Sequence, residues 1–193
     1  MWTRPGRIAG VVLAGGRSRR FGADKALAQL DGARLIDHSL RALRGHADAL
    51  AVSGSAALAA SVGLDAVADA PGVAAGPLRG VLGALAWAKA AGCSHLLSVP
   101  CDTPFLPDDL GPRLIAAAAR APVVAARAGR AHALCAIWSV GVAEAVATMA
   151  NQDRQPSMQA VVDALDGAWV DFPDEAAFAN LNTAEDLERA RIS

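Results

Sequence analysis

Apolar positions along the chain alternate between two rhythms. Residues 8–14 form a compact run with β-branched members that empties into Gly15-Gly16. It is too short for an ordinary helix and is stopped by residues a regular strand does not tolerate. It reads as a buried central strand. Leu35, Ile36, Leu40 and Leu43 then recur near helical spacing, with Asp37, Arg41 and Arg44 between them and Gly45 after them; this is an amphipathic helix laid on a sheet. The alternation continues. Short strands are predicted over 50–52 and 64–68, ending at Ser53-Gly54 and Asp69, with a short helix over 56–61 between them. Beyond the breaker-rich stretch 70–77, Leu78, Val81, Leu82 and Leu85 make one stripe of a helix over 78–91, with Pro77 suited to its first position.

The second half keeps the pattern and changes its sense. A strand over 94–99 stops at Pro100-Cys101-Asp102, and Asp108 and Asp109 suit the first turn of a helix reaching about residue 119. Residues 122–127 and 133–138 read as an antiparallel pair about a Gly129 turn. Helices over 142–150 and 156–165, a strand over 168–172 and a last helix opening at Thr183 with an approximate capping box complete the chain. Strands alternating with helices imply right-handed crossovers and a mainly parallel sheet. The expected fold class is therefore α/β: three layers, Rossmann-like, with helices on both faces of the sheet.

Composition narrows this picture. The 193 residues suit one domain spanning 1–193, with 1–7 expected to be a flexible lead-in. Much of the 53% apolar content is alanine, which implies close-packed helices, and no stretch of about 18 residues escapes charge or Gly/Pro interruption. Neither a transmembrane helix nor a signal peptide is expected, and the location expected is the cytoplasm. A net charge of −1 argues against a general affinity for nucleic acid. Cys93, Cys101 and Cys135 include no C-x-x-C and fit reduced, mostly buried thiols; the four histidines lack metal-ligand spacing.

The chemistry gathers at the strand ends. The loop after the first strand carries Gly15, Gly16 and Gly22 with Arg17, Arg19, Arg20 and Lys25, against the single anion Asp24. Glycines let backbone N–H groups approach an anion, and the cations neutralise it, so a polyphosphate is the expected guest. Spacing excludes both the P-loop and the G-x-G-x-x-G fingerprint. In open α/β sheets, ligands collect beyond the carboxyl ends of the strands; the predicted strands end at Gly15, Ser53, Asp69 and Cys101-Asp102. Asp102, on stiff backbone between Cys101 and Thr103-Pro104, suits Mg²⁺, which takes one or two carboxylates and fills its other positions with water and phosphate. Asp69 suits either a ribose or base edge or a simple turn.

Leu13-Ala-Gly-Gly-Arg-Ser-Arg-Arg-Phe-Gly-Ala-Asp-Lys25, Gly76-Pro-Leu-Arg-Gly80, Val99-Pro-Cys-Asp-Thr-Pro-Phe-Leu-Pro107 and Phe178-Ala-Asn-Leu-Asn-Thr-Ala-Glu-Asp-Leu187 occur in this order. Together they resemble the molybdenum cofactor guanylyltransferases, over nearly the whole chain after about residue 7. The resemblance implies a sheet of the nucleotide-diphospho-sugar transferase type and transfer of GMP from GTP to the phosphate of molybdenum-bound molybdopterin, releasing pyrophosphate. It places GTP contacts on Leu13, Ala14, Gly15, Gly16, Lys25, Ser53 and Asp69, and the GTP and Mg²⁺ carboxylate on Asp102. Lys25 and Arg20 are expected to stabilise the leaving group alongside Asp102. The implied partners are GTP and the molybdenum-molybdopterin cofactor, with cofactor-insertion chaperones or recipient molybdoenzymes as protein candidates, and neither nucleic acid nor membrane.

The chain departs from the family pattern at Ser53 (often Asn), Phe21 (often Met), Ala133 (often Pro after His132) and Ala184 (often Pro). The pterin side is expected along 127–132, 154–157 and 180–183, with Arg154 on its phosphate, His132 structural or positioning, and Asn182 and Thr183 more suited to helix capping than to direct contact. The alternatives are a cytidylyltransferase acting on the same cofactor or on a sugar or alcohol phosphate, and a non-catalytic nucleotide-binding or delivery protein.

Overall fold

The computed structural model describes residues 5–15, 25–152 and 154–192. The first strand, β1 (Ile8–Leu13), is buried on both faces: Ile8 and Val12 point into one core layer, Ala9 and Val11 into the other. Full burial of one such Val or Ile side chain contributes roughly 1.5–3 kcal/mol, so the strand is central for energetic reasons. A hairpin of β2 (Gln29–Leu30) and β3 (Ala33–Arg34) leads into α1 (Leu35–Arg41). Then follow β4 (Ala49–Ser53), α2 (Ala56–Ser61), β5 (Asp65–Val67), α3 (Pro77–Ala90) and β6 (His95–Pro100). The second half comprises α4 (Leu110–Ala117), β7 (Val123–Ala128), β8 (Arg130–Ser139), α5 (Ala143–Ala150), α6 (Met158–Ala164), β9 (Ala168–Asp171) and α7 (Ala184–Ile192).

Seven strands form one sheet in the order β5-β4-β1-β6-β8-β7-β9. All its pairs are parallel except those made by β8, which runs against both β6 and β7. The expected mostly parallel, Rossmann-like sheet is thus present, and so is the antiparallel pair about Gly129. One core layer holds α1 and α4 residues such as Ile36, Leu40 and Leu114. The opposite layer holds α3, α5 and α6 residues such as Leu85, Val146 and Val161. Trp138, fully buried on β8, donates its indole N–H to Ser98 Oγ at 3.0 Å, so its one polar atom is satisfied.

A third, small cluster bears directly on function. Leu30 and Leu35 pack with Leu181 and Leu187, joining the hairpin and the start of α1 to α7 across the chain. The hairpin itself turns on Asp31 and Gly32, with φ of 51° and 78°, the left-handed pair a two-residue turn requires. Arg34 then fixes the entry to α1 through a forked contact with Asp37, at 2.7 and 3.0 Å, and holds that carboxyl below its usual pKa. At the other end of the chain's first strand, Gly6 N–H donates to Ser94 Oγ and the Arg7 carbonyl accepts from Ser94 N–H; the flexible lead-in expected over 1–7 falls in part, at 1–4, outside the described residues. Among the described residues no helix is long and apolar enough to cross a membrane.

Candidate active site at the carboxyl ends of the strands

The sheet order reverses direction between β1 and β6. The chain leaves β1 toward β4 and β5, then crosses back to place β6 on the other side. Such a switch point opens a crevice at the carboxyl ends of the two strands. Register brings those ends level: Leu13 lies opposite Ser53 on one side and Pro100 on the other, and Ser53 lies opposite Val67. Two backbone bonds extend the ladder just beyond the strands, from Ala14 N–H to Ser53 O at 2.8 Å and from Cys101 N–H to Leu13 O at 3.1 Å. Leu13, Ala14, Gly15, Ser53, Asp69 and Asp102 therefore share one edge of the sheet.

Lys25 and Asp102 are brought into contact. Lys25 Nζ lies 3.1 Å from Asp102 Oδ2, with side-chain exposures of 10% and 21%. The same ammonium donates to Asn182 Oδ1 at 3.2 Å, and Asn180 Nδ2 donates to the other carboxylate oxygen, Asp102 Oδ1, at 3.4 Å. Leu181 N–H donates to Asp102 O at 2.9 Å, so the segment 180–182 is fastened to the exit of β6 through both side chains and backbone. The β6 exit is fixed from below as well: Ser39 and Thr103 hydroxyls both donate to Pro100 O, at 3.1 and 3.3 Å. Held from these directions, the carboxylate is aimed into the crevice.

Asn180 and Asn182, expected along the pterin side with capping favoured for Asn182, also touch the Lys25–Asp102 pair, a contact that sequence reasoning did not anticipate. Thr183 does cap α7: Asp186 N–H donates to its Oγ1 at 3.1 Å, while Asp186 Oδ2 accepts from Thr183 N–H and Asn182 N–H, holding that carboxyl below its usual pKa. Asn182's side chain, however, is not spent on the cap; it faces Lys25. The only sequence signal is the Asn-x-Asn spacing that leaves Leu181 to pack inward between them.

At the opposite end of the crevice, α3 is pressed onto the exit of β5. A methyl group on Gly83 would lie 2.1 Å from Ala68 O, so only glycine permits this approach. Ala70 N–H donates to Arg79 O at 3.1 Å, and Arg79 Nε lies 3.3 Å from Asp69 Oδ2. Gly80 turns toward the crevice, where a methyl group would meet Ser53 Oγ at 3.2 Å and Asp69 Oδ1 at 3.7 Å. Ser53 is buried.

Other expected positions are placed as follows. Gly16 and Arg20, with Arg17, Arg19, Phe21, Gly22 and Asp24, lie outside the described residues. Arg154 is exposed, and Arg127 stacks over Trp169 at 5.1 Å beside Asp171. His132 stacks on Phe178 with ring centroids 4.7 Å apart, and burial lowers its pKa. Cys135 is fully buried, which pushes its thiol far up. All three cysteines are free thiols.

This architecture, a switch-point crevice on a seven-stranded, mostly parallel sheet, defines the class: an α/β nucleotidyltransferase fold. The Archaeoglobus fulgidus molybdopterin-guanine dinucleotide biosynthesis protein A superposes with a TM-score of 0.74 at 20% identity, over 95% of this chain and 97% of that one. The 4-diphosphocytidyl-2C-methyl-D-erythritol synthase of Anaerococcus prevotii gives 0.71 at 10% identity, over 96% and 95%. The model of the MobA-like NTP transferase domain matches residues 10–168. A molybdenum cofactor guanylyltransferase of Cereibacter sphaeroides is 43% identical over 189 residues, covering 95% of each chain, and one of Acidiphilium cryptum is 40% identical over 187 residues, covering 95% of this chain and 93% of its own. The chain belongs to the MobA-like NTP transferase family.

Proposed function

We propose that this nucleotidyltransferase transfers GMP from GTP to the terminal phosphate of molybdenum-bound molybdopterin, giving the guanine dinucleotide form of the cofactor and pyrophosphate. The observation that carries the reading is the Lys25–Asp102 pair, with Asn180 and Asn182, at the joint carboxyl end of β1 and β6. The guanylyltransferase relatives at 40–43% identity favour GTP over the cytidylyl alternative.

Nucleotidyl transfer asks a protein for position and charge neutralisation more than for covalent chemistry. The attacking group is a phosphate oxygen, anionic near neutral pH, so no general base is needed. It forms a bond to the α-phosphorus of GTP as the bond to the β,γ-pyrophosphate breaks in line. Lys25 meets the charge growing on the pyrophosphate; by sequence, Arg20 on the glycine loop joins it. By sequence, the glycine loop that begins at Gly15 meets the phosphate oxygens, while Ser53 and Asp69 hold the nucleoside end.

The donor set fits a hard divalent cation. Asp102 gives one hydrogen-bond acceptor site to Lys25 and one to Asn180, and an ionised carboxylate keeps further lone pairs beyond those two. Asp102 would hold Mg²⁺, which, when bound, neutralises phosphate oxygens on the nucleotide. The recipient of the product is a molybdoenzyme or a chaperone that serves one, in the same cytoplasmic compartment.

The test is an assay with molybdenum cofactor and either GTP or CTP, following pyrophosphate and the dinucleotide product. GTP-dependent formation of the guanine dinucleotide is expected; product from CTP alone would move the protein to the cytidylyl class. GTP binding without turnover would support a delivery role instead.

A further inference from the structure

The nucleoside end of the crevice contains a charged residue outside the reaction just described. Arg79 stands in the first turn of α3, one position before Gly80, the residue that faces Ser53 and Asp69. It grips the exit of β5 twice. Its carbonyl oxygen accepts from Ala70 N–H, and its guanidinium Nε stands 3.3 Å from Asp69 Oδ2. Gly83, one turn on, lets the helix close onto Ala68 O. The Nε is shut off from solvent and makes no hydrogen bond, whereas the Asp69 side chain keeps 38% of its surface open. A buried donor left short of a full bond is unfavourable. The carboxylate that faces it is therefore drawn toward the helix on one oxygen, while its other oxygen, Oδ1, lies beside Gly80 and Gly15, 3.7 and 3.8 Å from where a methyl group on each would stand.

We infer that Arg79 is a positioning residue that, through Asp69, sets affinity for the nucleotide and selectivity for guanine. The inference rests on the proposed use of GTP and goes beyond it to the base. A carboxylate offers only acceptors. The guanine edge bears two adjacent donors, N1–H and the N2 amine, one for each carboxylate lone pair; the cytosine edge bears a single donor, the N4 amine, beside the N3 acceptor, which would face the carboxylate's lone pairs. A site built around a polar contact rejects an analogue lacking its partner far more strongly than a purely apolar pocket does. Holding the carboxylate in one orientation is what converts Asp69 from a loop residue into a reader, and Arg79 supplies the tether.

The experiment compares the full-length wild type with Arg79→Ala, Arg79→Met and Arg79→Lys, using GTP, inosine triphosphate and CTP. Inosine triphosphate lacks only the N2 amine. In Arg79→Ala and Arg79→Met, KM for GTP is expected to rise on the order of tenfold with kcat little affected. The preference for GTP over inosine triphosphate is expected to shrink by a similar factor, and Arg79→Lys to recover part of both. Thermal melts of the free variants identify any that misfold, and Arg79→Lys with Asp69→Asn then carry the comparison, since loss of the carboxylate must erase the same preference. Unchanged GTP affinity and base preference in a folded Arg79→Met would overturn the inference. A wild type that binds no GTP would instead overturn the proposed function.

Discussion

The two ends of the crevice are built from the same ingredients, a cation and a carboxylate on neighbouring elements, but in different surroundings. At the phosphate end, Lys25 and Asp102 keep 10% and 21% of their side-chain surface, and two asparagines complete the array. At the nucleoside end, Asp69 and Arg79 keep about twice to four times as much, 38% and 40%. Burial raises the cost of leaving either partner alone, because an uncompensated charge cannot turn to water. An exposed pair is worth at most about 1 kcal/mol in itself. The phosphate end is thus a rigid constellation whose members fail together, and the nucleoside end is a tether whose effect is felt through what it orients.

The largest break of that contrast is Asp102→Asn. It keeps size but removes the charge that faces Lys25 and a divalent cation, and leaves one acceptor oxygen where Lys25 and Asn180 use two, so product formation is expected to fall at least about 10³-fold while GTP binding persists. Equilibrium binding beside a turnover assay checks this, and loss of both together would assign Asp102 to folding. Lys25→Ala comes next. Loss of one preorganised charge-stabilising group slows turnover by roughly 10²–10³-fold; a rate within about twofold of wild type would remove Lys25 from the reaction.

Much of this layout is legible in the order of the residues. The run at 8–14 announces a central strand because both its faces are apolar, and Gly15-Gly16 and Pro100-Cys101-Asp102 announce where it and the strand at 94–99 stop. What sequence does not carry is contact between distant positions. Lys25 and Asn182 meet across 157 residues through Leu30, Leu35, Leu181 and Leu187, a cluster no local period reveals. The hairpin that begins this link has strands of two residues, too short for alternation to register; its Asp31-Gly32 turn is the one available signal. Asn182 illustrates the same limit. Next to a helix start, capping is the local expectation, and only the packing of α7 turns its side chain to Lys25.

Stability measurements sharpen the comparison further. Gly83→Ala sets a methyl group against backbone rather than a movable side chain, 2.1 Å from Ala68 O. Overpacking of this kind costs roughly 1–3 kcal/mol, partly offset by alanine's better helix propensity, and the strain lands on the β5 exit that carries Asp69. Denaturant unfolding is expected to show the loss, with GTP affinity falling and the Lys25–Asp102 end unaffected. Thr183→Ala removes the α7 cap and should cost about 1 kcal/mol, with the kinetic effect on the phosphate end through Asn182. Equal kinetic effects of the two variants on both ends would show that the crevice moves as one piece.

The smallest expected effect is one of pH, and it belongs to the phosphate end. His132 packs against Phe178, which lies two residues before Asn180, and its Nε2 is 3.4 Å from Ala128 O. Burial holds its pKa below 6.5; the nearby Arg130 lowers it further, while the backbone contact and Glu175 act the other way. The unfolded chain therefore binds a proton at His132 that the folded chain resists. Stability is complete above about pH 6.5 and declines as pH falls from there toward the lower folded value. His95, also buried, shifts in the same direction, so unfolding free energies at about pH 7.5 and about pH 5.5, on either side of the ordinary histidine value, must be compared between wild type and His132→Gln to isolate this contribution. A smaller pH dependence in His132→Gln is expected; identical slopes would mean that the Phe178 stack releases His132 to solvent before it takes up its proton.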